Sequence, residues 1–113
     1  QKYFDKMWDM YEYTRNKHGE NGMFNVKEGL WWRDHNFDPP YKEPNGENCY
    51  WSRGNGWVYA ALVRVMNEIP SDEKHRQDYI NDFMAMSKAL KQCQREDGFW
   101  NVSLHDPSNF GGK

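Results

Sequence analysis

One short turn occurs twice in this sequence, each time after a helical run. Asn21-Gly22-Met23-Phe24-Asn25-Val26 follows a first amphipathic stretch, and Asp97-Gly98-Phe99-Trp100-Asn101-Val102 follows a third. The shared pattern is Asx-Gly, two large apolar residues, then Asn-Val. Its recurrence makes the first and third helices equivalent and assigns the second to another layer. Alternating layers with a recurring loop describe a helical-hairpin repeat. Such hairpins bury their faces only against neighbours, and one and a half of them are too few. We therefore expect this chain to be a piece of a larger solenoid or toroid.

Periodicity places the helices. In residues 1–18, Phe4, Met7, Trp8, Tyr11 and Thr14 recur at three- and four-residue steps, and Gly19 supplies a stop. No N-cap residue precedes this helix, which leads us to expect further residues upstream. A polar loop with turn formers at 38–40 and 44–46 then runs to about residue 50, and loops of that length are usually functional. The second helix is expected over 55–69, with Val58, Ala61, Leu62, Val65 and Ile69 on one face and Pro70 ending it. Ser71 reads as the N-cap of a third helix over 72–95, with Tyr79, Phe83, Met86, Leu90 and Cys93 on one stripe.

Composition narrows the function classes. A net charge of −2 points to neither nucleic acid nor an anionic membrane surface. No apolar run approaches the ~18 residues of a membrane span. Cys49 and Cys93 have no metal-like spacing, read as free thiols and leave the compartment open. Aromatic residues make up 17% of the chain, yet the mean hydropathy is −1.17. The apolar weight thus sits in aromatics spread over loops as well as helices, as in proteins that bind sugars on aromatic platforms.

The densest functional signal is Tyr50-Trp51-Ser52-Arg53-Gly54-Asn55-Gly56-Trp57. Glycines permit close approach, and the helix N-terminus that follows attracts anions. Arg53 offers a planar fork of donors suited to a carboxylate. Trp51 and Trp57 add flat faces. A ligand with an anionic group and an apolar face, such as an acidic sugar, suits this set. The alternative is that both tryptophans are core and Arg53 only braces the loop.

The block Trp51-Ser52-Arg53-Gly54-Asn55-Gly56-Trp57, then Ala60-Ala61-Leu62, Ile69-Pro70, and Leu90-x-x-x-Gln94-x-x-Asp97-Gly98-Phe99-Trp100, resembles glycoside hydrolase family 105. These are the unsaturated rhamnogalacturonyl hydrolases, related to the unsaturated glucuronyl hydrolases of family 88. The resemblance covers essentially all of residues 1–113. It implies an all-α fold, part of a single (α/α)6-barrel domain, with the second helix inner and the first and third outer. It implies an oligosaccharide substrate ending in a 4,5-unsaturated uronic acid and no cofactor or metal. An aspartic acid would protonate the double bond, water would add to C5, and the resulting hemiketal would collapse. The family's catalytic aspartates belong to motifs upstream of anything matched here, so none is expected in this chain. Asp5 and Asp9 read as surface charges and Asp34 as a loop residue.

The carry-over is Arg53 and Trp57 as uronate- and sugar-contacting positions, with Asn55 holding the turn or touching substrate. Trp51 joins them as an aromatic wall. Some relatives carry a histidine near Leu30-Trp31-Trp32-Arg33; here Arg33 stands at that point with His35 nearby, as a replacement donor or as plain loop surface. The resemblance implies a bacterial cytoplasmic or periplasmic setting. Two other readings stay open. One is a non-catalytic carbohydrate-binding helical module. The other is a sugar-epimerase-like (α/α)6 enzyme, which would lean on paired histidines; His18, His35, His75 and His105 show no such pairing.

Overall fold

The structure is a computed structural model that describes residues 1–19 and 21–108. Three helices carry it: α1 (Lys2–Asn16), α2 (Ser52–Glu68) and α3 (Arg76–Gln92). Between α1 and α2 lies a small antiparallel hairpin, β1 (Phe24–Asn25) and β2 (Leu30–Trp31), with Phe24 opposite Trp31. The expected polar loop therefore contains a short ladder, and it buries Leu30, Trp31, Cys49 and Tyr50.

The core forms where the apolar stripes converge. Met23, Phe24 and Trp31 from the hairpin pack with Leu62 of α2, Tyr79 and Met86 of α3, and the partly buried Met7, Trp8 and Tyr11 of α1. Aromatic rings do much of the filling: Trp8 meets Tyr79 edge-on at 5.3 Å, and Tyr11 lies 5.6 Å from Trp31. A second cluster of Leu30, Tyr50, Ala89 and Leu104 lies under the loops.

Two helix starts differ from the sequence reading. The second helix begins at Ser52, three residues before the expected position. Its first turn is held early, because Ser52 N–H donates to Val102 C=O and the Trp51–Ser103 bridge fixes the approach. The third helix begins at Arg76, and Ser71 does not cap it. Glu73 organises the turn instead. Its buried carboxylate accepts the His75 N–H at 2.7 Å and the Gln1 amide at 3.0 Å. Arg76 then donates to Met66 C=O at 2.7 Å, which satisfies a terminal carbonyl of α2.

Both copies of the repeated turn place glycine at positive φ, Gly22 at 79° and Gly98 at 89°. At Gly22 a Cβ would stand 2.1 Å from the Arg15 carbonyl, so only glycine fits. The copies differ in burial. Met23 and Phe24 are core, whereas Phe99 is 69% exposed and Trp100 41%. The first copy is covered by Trp31 and α1, and nothing among the described residues covers the second in that way.

Candidate functional site

The site is built on the N-terminal turn of α2. Tyr50, just before it, is fully buried, and its hydroxyl donates to Glu28 Oε1 at 2.7 Å. The same oxygen accepts Asn48 Nδ2 at 2.8 Å, and Glu28 Oε2 lies 3.4 Å from His105 Nδ1. Burial pushes the Glu28 carboxyl up, but the Tyr50 and Asn48 donors and the nearby His105 outweigh it, leaving it below its ordinary value. This network ties the hairpin, the 48–50 segment and the 103–106 segment into one support behind Trp51.

Asn55 completes the support. It is 1% exposed, and its Oδ1 accepts the Trp31 N–H at 2.8 Å. Its Nδ2 donates to Trp31 C=O at 2.9 Å and Trp51 C=O at 3.0 Å. Asn55 was expected to hold the turn or touch substrate, and its side-chain hydrogen bonds go to backbone of the turn and the hairpin. Its amide is buried and engaged by backbone. Asn55→Ala orphans the Trp31 backbone groups, each costing about 1–3 kcal/mol. We expect a loss of about 2–4 kcal/mol by that rule, read as a lower denaturation midpoint. A loss under about 0.5 kcal/mol, the range of ordinary surface substitutions, would contradict the bracing role.

Gly54 lets Trp51 fold back over this turn. A Cβ at Gly54 would meet Trp51 Cε3 at 2.9 Å, so any side chain there displaces the indole. Two guanidinium groups flank that indole. Arg53 Cζ lies 4.6 Å from its centroid and Arg33 Cζ 5.5 Å, both within cation–π range. Arg33 also lies over Phe37 at 5.2 Å, and its Nε is 3.6 Å from Asp34 Oδ2. Among the described residues no carboxylate pairs with Arg53, and the Arg53 and Gly54 N–H groups have no backbone acceptor.

Arg53 opens onto a cleft of about 610 Å³ between α2 and α3. Ser52, Gly56 and Tyr59 form one side, with Leu90, Gln94 and Trp100 opposite. Trp100 is held by donating its Nε1–H to Leu90 C=O at 2.7 Å. Trp57 lies one helical turn beyond Arg53 and is 69% exposed, outside the cleft lining. The structure thus groups Arg53, Trp51 and Arg33, places Trp57 on the adjoining surface, and makes Asn55 the brace beneath them. His35 faces away to Asp38 Oδ2 at 3.1 Å.

The sequence reading did not find the Glu28–Tyr50 support or the α3 wall of the cleft. The Asp97-Gly98-Phe99-Trp100 turn was visible, but its placement opposite Arg53 depends on how α2 packs on α3. Asp34 is a turn residue: its Oδ1 accepts the Asn36 N–H at 2.8 Å. Both cysteines are free, and burial pushes the Cys49 thiol up to about 12. Among the described residues one group of metal-type donors occurs, Glu28, Glu47 and His105, with ligand atoms within 4.8 Å of one another. Glu28 is already engaged there by Tyr50 and Asn48. Among the described residues no helix is long and apolar enough to cross a membrane.

Comparison with known proteins places this geometry. An unsaturated 3S-rhamnoglycuronyl hydrolase from Formosa agariphila is 36% identical over 114 residues, covering 96% of this chain and 29% of that protein. A glycosyl hydrolase family 88 structure from Bacteroides vulgatus superposes with a TM-score of 0.86 at 35% identity, over 93% of this chain and 29% of the other. A family 105 glycoside hydrolase from C. acetobutylicum shares the fold at a TM-score of 0.70 and 23% identity, over 93% of this chain and 29% of its own. The chain therefore spans about 29% of the length of these relatives. The fold is all-α in its framework and forms part of the six-hairpin, (α/α)6 architecture. The family model described as Glycosyl Hydrolase Family 88 matches residues 1–113, and the chain belongs to that family.

Proposed function

We propose that this chain forms one substrate-binding wall of a glycoside hydrolase that removes a 4,5-unsaturated uronic acid from the non-reducing end of an acidic oligosaccharide. The observation that carries the reading is the unpaired Arg53 guanidinium at the first turn of α2, beside the Trp51 ring and open to the cleft. The uronate carboxylate accepts from the guanidinium, and the free Arg53 and Gly54 N–H groups add the field of the helix terminus. The indole covers the apolar face of the ring.

In this reading residues 1–113 are a section of one (α/α)6 domain. Exposed Trp57, Phe99 and Trp100 then face other parts of that barrel or its substrate. The acid that protonates the double bond lies outside these residues. Asp34 is held in its turn, and the buried Asp82 is engaged by Arg15 and Tyr11. Hydration of the double bond at C5 follows that protonation, so the acid must lie within hydrogen-bond reach. The aglycone belongs to a polysaccharide-lyase product such as a pectin or rhamnoglycuronan fragment.

The test uses the natural full-length protein and an unsaturated disaccharide, followed by loss of the double-bond absorbance. Turnover is expected. Its absence, with a saturated uronide cleaved instead, would overturn the reading. Binding of the unsaturated sugar without any turnover would favour the non-catalytic module.

A further inference from the structure

We infer that Glu28 is a positioning residue: through Tyr50 and Trp51 it sets where the Arg53 guanidinium stands, and so how strongly the site prefers a carboxylate. This rests on the function proposed above and names what controls the selectivity of that site.

The backbone that carries Glu28 is seated on α3. Glu28 lies in the turn between β1 and β2, and the next residue, Gly29, has φ 71°. A Cβ at Gly29 would stand 2.7 Å from the Ala85 carbonyl oxygen, so the turn lies directly against that helix. The Gly29 N–H donates to Asn25 C=O at 2.8 Å and closes the turn.

From there the contacts form a ring at the entry to α2. Glu28 Oε1 accepts the Tyr50 hydroxyl at 2.7 Å, and Asn25 Nδ2 donates to the hydroxyl oxygen at 2.9 Å. Burial, then the Glu28 hydrogen bond, push the Tyr50 hydroxyl far up, so it stays a donor. At its other end, Tyr50 C=O accepts the Leu104 N–H at 2.9 Å. His105 follows Leu104 and returns to Glu28, with Nδ1 3.4 Å from Oε2 and its ring edge-on to Tyr50 at 5.2 Å. One carboxylate thus holds both the ring and the backbone of Tyr50.

Trp51 comes next in the chain. It bridges to Ser103, and its indole is the surface against which Arg53 rests at 4.6 Å. Arg53 has no carboxylate partner among the described residues, so this indole is the contact that locates its guanidinium. A buried hydroxyl that loses its acceptor is costly to leave in place. Tyr50 without Glu28 therefore shifts, and Trp51 and Arg53 move with it. Small misplacements of a group that binds substrate are costly to the reaction.

The experiment uses the full-length protein, an unsaturated uronide and its methyl ester. Wild type is expected to prefer the acid. Tyr50→Phe deletes only the hydroxyl and should lower kcat/KM on the acid about tenfold, mostly through KM, and on the ester about twofold or less. Glu28→Ala, at a half-buried position, should do the same and replaces Tyr50→Phe if that variant does not fold. Glu28→Gln keeps an oxygen for Tyr50 and offers an amide N–H to His105, so it should stay within about threefold of wild type on the acid. Because Tyr50 acts through Arg53, adding Tyr50→Phe to Arg53→Ala should cost about twofold or less beyond Arg53→Ala alone. An unchanged acid-to-ester ratio in Tyr50→Phe and Glu28→Ala, or losses that multiply with that of Arg53→Ala, would overturn the inference and leave the Arg53 reading intact, even with a lower melting temperature. No preference for the acid in wild type removes both.

Discussion

Arg53→Ala lowers kcat/KM on an unsaturated uronide by roughly tenfold to a few hundredfold, following charge-assisted hydrogen bonds of about 1.5–3 kcal/mol and ~1.4 kcal/mol per factor of ten. The side chain stands within the first turn of α2, two residues before the start expected for that helix, and is exposed. Its guanidinium stacks on Trp51 and has no carboxylate partner among the described residues. Removing it deprives no buried acid of its counter-ion, so folding should be little affected. Arg53→Lys keeps the charge but loses the fork and the stacking, and should still weaken binding. The control is the methyl ester of the same uronide. If Arg53 pairs with the carboxylate, the variant's loss is large on the acid and small on the ester. If it only braces Trp51, both substrates suffer alike and the melting temperature falls; that pair of results would sink the carboxylate role.

Helical periodicity was readable because α2 and α3 bury one stripe each. Leu62, Tyr79 and Met86, all core, were placed on those stripes from spacing alone. The repeated Asx-Gly turn was legible, and the structure gives both of its glycines, Gly22 and Gly98, positive φ. The helix starts were not legible, because contacts from afar decide them. Ser52 joins α2 through a backbone bond to Val102, and Glu73 displaces Ser71 as the organiser of the turn into α3. The hairpin 24–31 was hidden for a related reason. Two-residue strands carry no alternation to detect, and their pairing is fixed from outside by Asn55. In the site, Arg53 and Trp51 could be chosen by residue type. That Asn55 faces inward, and that Arg33 reaches the same indole from eighteen positions earlier in the chain, depends on tertiary packing.

The largest effect on stability is expected at Asp82. Its carboxylate is 8% exposed and accepts Arg15 Nε at 2.7 Å, Arg15 Nη2 at 2.9 Å and the Tyr11 hydroxyl at 2.6 Å. Burial, then the Asp82 hydrogen bond, push the Tyr11 hydroxyl far up, so it stays a neutral donor. The Arg15 guanidinium, whose pKa the Asp82 hydrogen bond raises, also lies over Phe24 at 4.8 Å. One carboxylate thus joins α1, α3 and the first copy of the repeated turn. Asp82→Ala leaves a mostly buried cation and a buried hydroxyl without their acceptor. Breaking one side of such a pair costs about 3–5 kcal/mol, far above the ~0–1 kcal/mol of an exposed ion pair. Removing both charges is a different case, because desolvation offsets much of the attraction within the pair. Arg15→Met with Asp82→Leu should therefore recover most of the loss seen in Asp82→Ala. The measurement is the denaturant midpoint of the full-length protein for the single and double variants. A loss under about 1 kcal/mol for Asp82→Ala would mean that the network behaves as a surface pair. A double variant worse than the single one would mean that the charges, rather than their burial as a matched set, hold α1 to α3.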